Sequence, residues 1–153
     1  MDVEKIKGKI EKADAIYVGG GDTMYMIQKW QELGIDKMLK TAYENETPIV
    51  GLSAGGICWF KDMYTDSEIM NGGNDYVFRK GLNFLDGLMT PHYNERVEDF
   101  DKNFLGSNFS TAFAVENDSA IEFIDGKLEK SLSSGGCSYF IEKVNGEIKK
   151  TKI

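Results

Sequence analysis

Hydrophobic positions along this chain form short apolar runs that alternate with helical stripes, and this rhythm predicts a layered α/β architecture. Over residues 2–13, Val3, Ile6 and Ile10 recur at helical spacing among Lys and Glu, the mark of a surface helix. Ala15-Ile16-Tyr17-Val18 is a compact apolar run that stops at Gly19-Gly20-Gly21, as a buried strand does on entering a tight loop. Asp22 or Thr23 can cap the next helix, whose apolar positions include Met24, Ile27 and Trp30 and which ends near Gly34. A further helix over residues 36–45 places Met38, Leu39 and Ala42 on one side.

Pro48-Ile49-Val50-Gly51-Leu52 then reads as a second buried strand, followed at once by Ser53 and a helix over residues 54–60. Strand, helix and strand in alternation predict a mostly parallel sheet with helices on its faces. Residues 61–83 are polar, with Gly72-Gly73 and several aromatics, and read as an excursion over the surface. Residues 85–90 form a strand that delivers His92 at its C-terminal end, and residues 95–105 a helix. From Phe113-Ala114-Val115 onward the pattern turns β-rich. Asp125-Gly126 and Asn145-Gly146 each sit between alternating apolar and polar positions, the signature of a two-residue hairpin.

Length and charge narrow this picture. The 153 residues suit one domain, 1–153, around a single core, and no repeat or linker divides them. Eighteen basic against 25 acidic residues give a net charge of −7 with no basic cluster, which weighs against nucleic acid and anionic membrane as partners. No apolar run approaches the ~20 residues of a membrane span. The charged N-terminus lacks the apolar segment of a signal peptide, so the expected compartment is the cytoplasm. Cys58 and Cys137 are too few for a disulfide scaffold or a structural zinc site. The count of one histidine, His92, is the most restrictive: any step needing an imidazole must use it, and a multi-histidine metal site is excluded.

The candidate chemistry centres on Gly51-Leu52-Ser53-Ala54-Gly55, which satisfies G-x-S-x-G between a predicted strand and a predicted helix. In a nucleophile elbow the serine occupies a strained turn, and small flanking residues let strand and helix approach. The alternative is an ordinary glycine-rich βα turn. Gly19-Gly20-Gly21-Asp22 ends the preceding strand in the same manner. Its glycine N–H groups could complete an oxyanion hole opposite the N–H of Ala54. As a phosphate loop it fits neither standard pattern, and Asp22 would repel the anion; it could also be a turn with Asp22 as N-cap.

His92, stiffened by Pro91, follows a strand on the same edge as the elbow, and an active Ser53 would require it as base. A carboxylate holding the imidazole could be Glu116, which ends an apolar run at the sheet edge, or Asp66, in the stretch after the elbow helix.

Four motifs in order, "AIYVGGGDT", "PIVGLSAGG", "TPHYNER" and "FAVENDSAIEF", resemble the peptidase E and cyanophycinase-like serine hydrolases. The resemblance spans roughly residues 12–125 and implies a class I glutamine amidotransferase-like fold. It implies Ser53 as nucleophile, His92 as base and Glu116 as third member, with Asp66 as the alternative. Gly20 or Gly21 and Ala54 would supply the oxyanion hole. In the amidotransferase relatives the elbow nucleophile is a cysteine; here Ser53 holds that place, and Cys58 lies one turn on, in the core.

The activity implied is hydrolysis of small peptides, above all dipeptides with N-terminal aspartate, without metal or organic cofactor. Such a substrate asks for a cation, and Arg96 is the first candidate, ahead of Arg79 and Lys80. Otherwise Arg96 forms a surface ion pair with Glu95 or Asp99. Against the family pattern the chain opens directly on the helix before "AIYVGGG", which implies a smaller parallel sheet with an edge that a second copy could cover, as in a homodimer. The stretch from His92 to Glu116 is also short, which bears on substrate preference. Two other functions remain open: a non-catalytic member that binds a small ligand or partner protein, and an esterase or amidase with non-peptide substrates.

Overall fold

The computed structural model describes residues 2–153. Helix α1 (Val3–Ile10) is capped by the Asp2 side chain, which accepts from the Lys5 N–H. Strand β1 (Ile16–Val18) leads through the glycine loop into α2 (Thr23–Leu33). Asp22 is the N-cap of α2, accepting from Met24 and Tyr25. Gly34, at φ 71°, turns the chain into α3 (Ile35–Glu44), a left-handed position that glycine takes without penalty. Strand β2 (Ile49–Gly51) pairs in parallel with β1, and Ser53 leads into the short helix α4 (Ala54–Ile57).

The next segment departs from the sequence-based expectation. The helix after Ser53 stops at Ile57, and β3 (Phe60–Thr65) begins where that helix was to end. The stretch expected to run over the surface therefore holds a central strand, with Met63, Tyr64 and Thr65 fully buried. After α5 (Ser67–Met70) the chain returns as β4 (Val77–Lys80), antiparallel to β3. Strand β5 (Leu85–Thr90) ends just before His92, α6 (Tyr93–Gly106) follows, and β6 (Thr111–Val115) ends just before Glu116. The hairpins β7 (Ser119–Ile124)/β8 (Lys127–Ser133) and β9 (Ser138–Val144)/β10 (Glu147–Lys152) turn at the two expected dipeptides. Asp125 and Gly126 lie at φ 51° and 74°, and Asn145 and Gly146 at 52° and 82°, the two positive values of a type I′ turn.

Six strands form one sheet in the order β10-β9-β6-β5-β3-β4. Its centre, β3, β5 and β6, is parallel, and antiparallel strands complete both sides. The α/β class with a parallel centre, flanking helices and C-terminal hairpins is as the sequence predicts.

Strand alternation sorts the core into two layers. Met63, Met89 and Phe113 point to the face covered by α2, α3 and α4, where they meet Val18, Ile27, Leu39, Ile57 and Trp59. Tyr64, Leu88, Ala112, Ala114 and Ile141 point to the other face and pack against Tyr93, Phe100 and Phe104 of α6. The two alanines of β6 leave room for α6 to lie close. Both layers hold the carboxyl ends of β3, β5 and β6 in register, and these ends carry Asp66, His92 and Asn117. Among the described residues no helix is long and apolar enough to cross a membrane.

Candidate active site

The elbow is built by close approach of backbone to backbone. A Cβ on Gly51 would fall 1.8 Å from the Gly55 carbonyl oxygen, and one on Gly55 would fall 2.2 Å from the Val18 carbonyl oxygen. Neither position accepts a side chain, so the two glycines of G-x-S-x-G let α4 press against the ends of β1 and β2. Ser53 between them sits at φ 53°, ψ −114°, a conformation that costs a non-glycine residue roughly 1–3 kcal/mol and persists only where its surroundings enforce it. The strained turn lifts the alcohol out of the sheet edge.

The imidazole meets it there. Ser53 Oγ and His92 Nε2 are 2.8 Å apart, within reach for proton transfer. His92 is itself at φ 51°, ψ 38°, so the chain turns sharply after Pro91 before entering α6. The glycine loop lies alongside: a Cβ on Gly20 would be 3.4 Å from Ser53 Cβ and 3.9 Å from its Oγ. Ala54 opens α4, and a first-turn N–H has no partner within its own helix.

Buried hydroxyls tie the glycine loop to the sheet. Thr65 Oγ1 contacts Thr23 Oγ1 at 3.4 Å and Ser67 Oγ at 3.0 Å, while Ser67 Oγ accepts from the Met24 N–H. Burial opposes ionisation of Asp22. Bonds from the Asn71 amide, the Tyr25 N–H, Ser67 and the Met24 N–H nonetheless hold its carboxyl below the usual range. Asp22 is thus a cap in ionised form.

The third position differs from the expectation. Glu116 turns away from the imidazole, and its carboxylate accepts from the Cys137 N–H at 2.8 Å. Its backbone N–H extends the β6–β9 ladder by donating to the Cys137 carbonyl. Because successive side chains along an extended strand point oppositely, committing Glu116 to β9 hands the next residue to the site. Asn117 Oδ1 lies 2.5 Å from His92 Nδ1. Asp66, the alternative acid, is instead 3.9 Å from the Arg96 guanidinium.

Arg96 is not a surface residue. Its side chain is only 3% exposed, because φ −138° interrupts the helical geometry of α6 and swings it inward. The guanidinium stacks on Tyr76 at 4.3 Å, yet Nε and Nη1 are buried without a hydrogen-bond partner. Glu95 and Asp99, its anticipated ion-pair partners, bond Asn117 and Tyr64 instead. Arg79 and Lys80 are paired at the surface with Glu68 and Asp62. Cys58 is fully buried in the turn after α4, where burial pushes its thiol far above the usual range. Among the described residues no group of three or more His, Cys, Asp or Glu is placed to hold a metal ion.

Fold and site together define an α/β protein of the nucleophile-elbow class. The chain belongs to peptidase family S51, whose model matches residues 1–131. It is 32% identical over 144 residues to the uncharacterized peptidase YgaJ of Bacillus subtilis, covering 91% of this chain and 60% of that one. To peptidase E of Actinobacillus pleuropneumoniae serotype 5b it is 26% identical over 148 residues, covering 92% and 63%. Among solved structures, a Listeria monocytogenes EGD-e protein bearing a provisional peptidase E name superposes with TM-score 0.63 at 20% identity, covering 100% of this chain and 66% of that one. A peptidase from an acI-B1 actinobacterium superposes with TM-score 0.57 at 15% identity, covering 98% and 60%. The chain thus spans about three-fifths of the length of these relatives.

Proposed function

We propose that this chain carries a serine-peptidase site that hydrolyses small peptides by acyl transfer. The observation that carries the reading is the 2.8 Å approach of Ser53 Oγ to the only imidazole in the chain, at a strained elbow. Ser53 attacks the scissile carbonyl while His92 Nε2 takes its proton. The carbonyl oxygen becomes an oxyanion facing the N–H of Ala54 and that of Gly20 or Gly21. His92 then protonates the leaving amine, and water, deprotonated by the same nitrogen, releases the acid. Asn117 holds the other side of the ring.

The preferred substrates are dipeptides with N-terminal aspartate. A buried guanidinium whose carboxylate neighbour, Asp66, stands off at 3.9 Å is unfavourable by itself and suits a substrate carboxylate brought up to it. Arg96 borders a cavity of about 610 Å³ that Tyr76, Asn94, Glu98 and Asp99 also line. The acids there suit the free amino group of the same substrate end.

This assignment has a two-sided test in Arg96→Met. Methionine fills similar volume and leaves no unpaired donors, so thermal stability should hold or rise. The kcat/KM for Asp-X dipeptides should fall on the order of 10²-fold, as expected for the loss of a buried charged contact. Hydrolysis of neutral dipeptides and simple esters should change little. An equal loss across the whole panel would remove Arg96 from substrate recognition.

A further inference from the structure

Asn117 presents His92 with an ambiguous partner, since a primary amide carries an acceptor oxygen and a donor NH2 on one planar group. Only the oxygen can accept from Nδ1–H and so leave Nε2 free to receive the Ser53 proton. Two consecutive residues in the first turn of α6 decide which end faces the ring. Asn94 Oδ1 accepts from the Asn117 backbone N–H at 2.9 Å and fixes the chain. Glu95 Oε1 accepts from Asn117 Nδ2 at 2.5 Å and fixes the side chain. An ionised carboxylate only accepts, so it takes the NH2 and turns Oδ1 toward the imidazole.

We propose that Glu95 is a positioning residue for the hydrolytic reaction, acting through Asn117 to hold the His92 tautomer in which Nε2 is the base. The proposal rests on Ser53 being the nucleophile. The four groups form one line, Ser53–His92–Asn117–Glu95. Asn117 alone is neutral and gives the imidazolium no counter-charge. The Glu95 carboxylate polarises the amide between them, making Oδ1 a better acceptor as positive charge develops on the ring. Glu95 is solvent-exposed, so its carboxylate adds no cost of burying a charge. Its place in the first turn of α6 also complements the helix dipole, a purely structural role that the test must separate.

The test is the rate at which a fluorophosphonate phosphonylates Ser53 in the full chain, with Oγ attacking phosphorus and fluoride leaving, a reaction that does not depend on the substrate pocket. Glu95→Ala and Asn117→Ala should each slow phosphonylation about 10- to 100-fold, the range of a misplaced catalytic group. The double variant should be no slower than Asn117→Ala alone, because both changes break one line. Glu95→Gln should fall between wild type and Glu95→Ala, since its amide oxygen can still accept from Asn117 but the charge is lost and the group also carries a donor NH2. In the Asn117→Asp background the carboxylate meets His92 directly, so Glu95→Ala should no longer be harmful there.

A helix-dipole role predicts the reverse: lower melting temperature, an unchanged phosphonylation rate, and a stability effect that persists after Asn117→Ala. Wild-type rates in Glu95→Ala, or losses that multiply in the double variant, overturn the role of Glu95 while Ser53 remains the nucleophile. A wild-type chain that does not label at Ser53 overturns both.

Discussion

Replacing His92 with alanine should lower kcat/KM for peptide hydrolysis on the order of 10⁴- to 10⁶-fold, with the fold intact. The size follows from the chemistry: at its ordinary pKa a serine hydroxyl is a poor nucleophile, and no second histidine exists to take the proton. The carboxylates nearest the site are engaged elsewhere: Glu116 with the Cys137 N–H, Asp66 with Arg96, and Glu95 with Asn117. What remains after the substitution is substrate binding and the N–H groups facing the oxyanion. Structurally the change is mild, because the His92 side chain makes no cap to α6 and is only partly buried. Steady-state kinetics with a melting curve on the same preparation checks both halves. Near wild-type turnover would contradict the assignment of the base.

Gly55→Ala should cost stability heavily, a loss of about 3–5 kcal/mol or failure to accumulate folded protein. The added methyl would stand 2.2 Å from the Val18 carbonyl oxygen, 2.6 Å from its carbon and 2.7 Å from the Gly19 carbonyl oxygen. All three are backbone atoms of the strand and loop that frame the site, so no side-chain rotation relieves the clash. The elbow must move away from β1 or the glycine loop must open. Against a typical total of about 5–15 kcal/mol, such a change threatens the whole domain. Gly56→Ala is the natural comparison, since its methyl would lie 3.2 Å from the Gly51 carbonyl oxygen and needs only a small adjustment. Urea unfolding of both variants should rank Gly55→Ala far below Gly56→Ala, and equal midpoints would contradict the packing account.

Much of the site was legible in the sequence because its parts sit at ends of apolar runs. The glycine loop, the elbow and His92 each follow a short hydrophobic strand. β1 and β2 pair as a two-stranded parallel sheet apart from the six-stranded sheet that holds β5. The expectation of one shared sheet edge did not foresee that division, yet the carboxyl ends of these strands bring Ser53 to His92. β3 was harder to see. Lys61 and Asp62 interrupt its apolar pattern, and Asp62 tolerates burial only because Lys80 reaches its carboxylate from β4 at 2.6 Å. That pairing belongs to the folded chain and has no signature along it. The apolar positions from Cys58 to Phe60 also continue the pattern of α4, which hid the change from helix to strand.

Asn117 shows a different limit. "FAVENDSAIEF" places an acid and an amide side by side, and the ionisable residue is the natural expectation for a histidine partner. Which of two neighbours faces the ring depends on the pleat at the end of β6, and that is set by the ladder to β9. Arg96 was hidden by its acidic neighbours, which mark an exposed helix face. The backbone irregularity that buries it leaves no trace in composition.

The central claim is that Ser53 is a nucleophile activated by His92, and covalent labelling tests it most directly. The full chain is treated with a fluorophosphonate reagent, and the modified peptide is located by mass spectrometry. A single adduct on Ser53, absent from Ser53→Ala and strongly suppressed in His92→Ala, is the predicted result. A chain that stays unlabelled, or that carries the adduct on another residue, would contradict it.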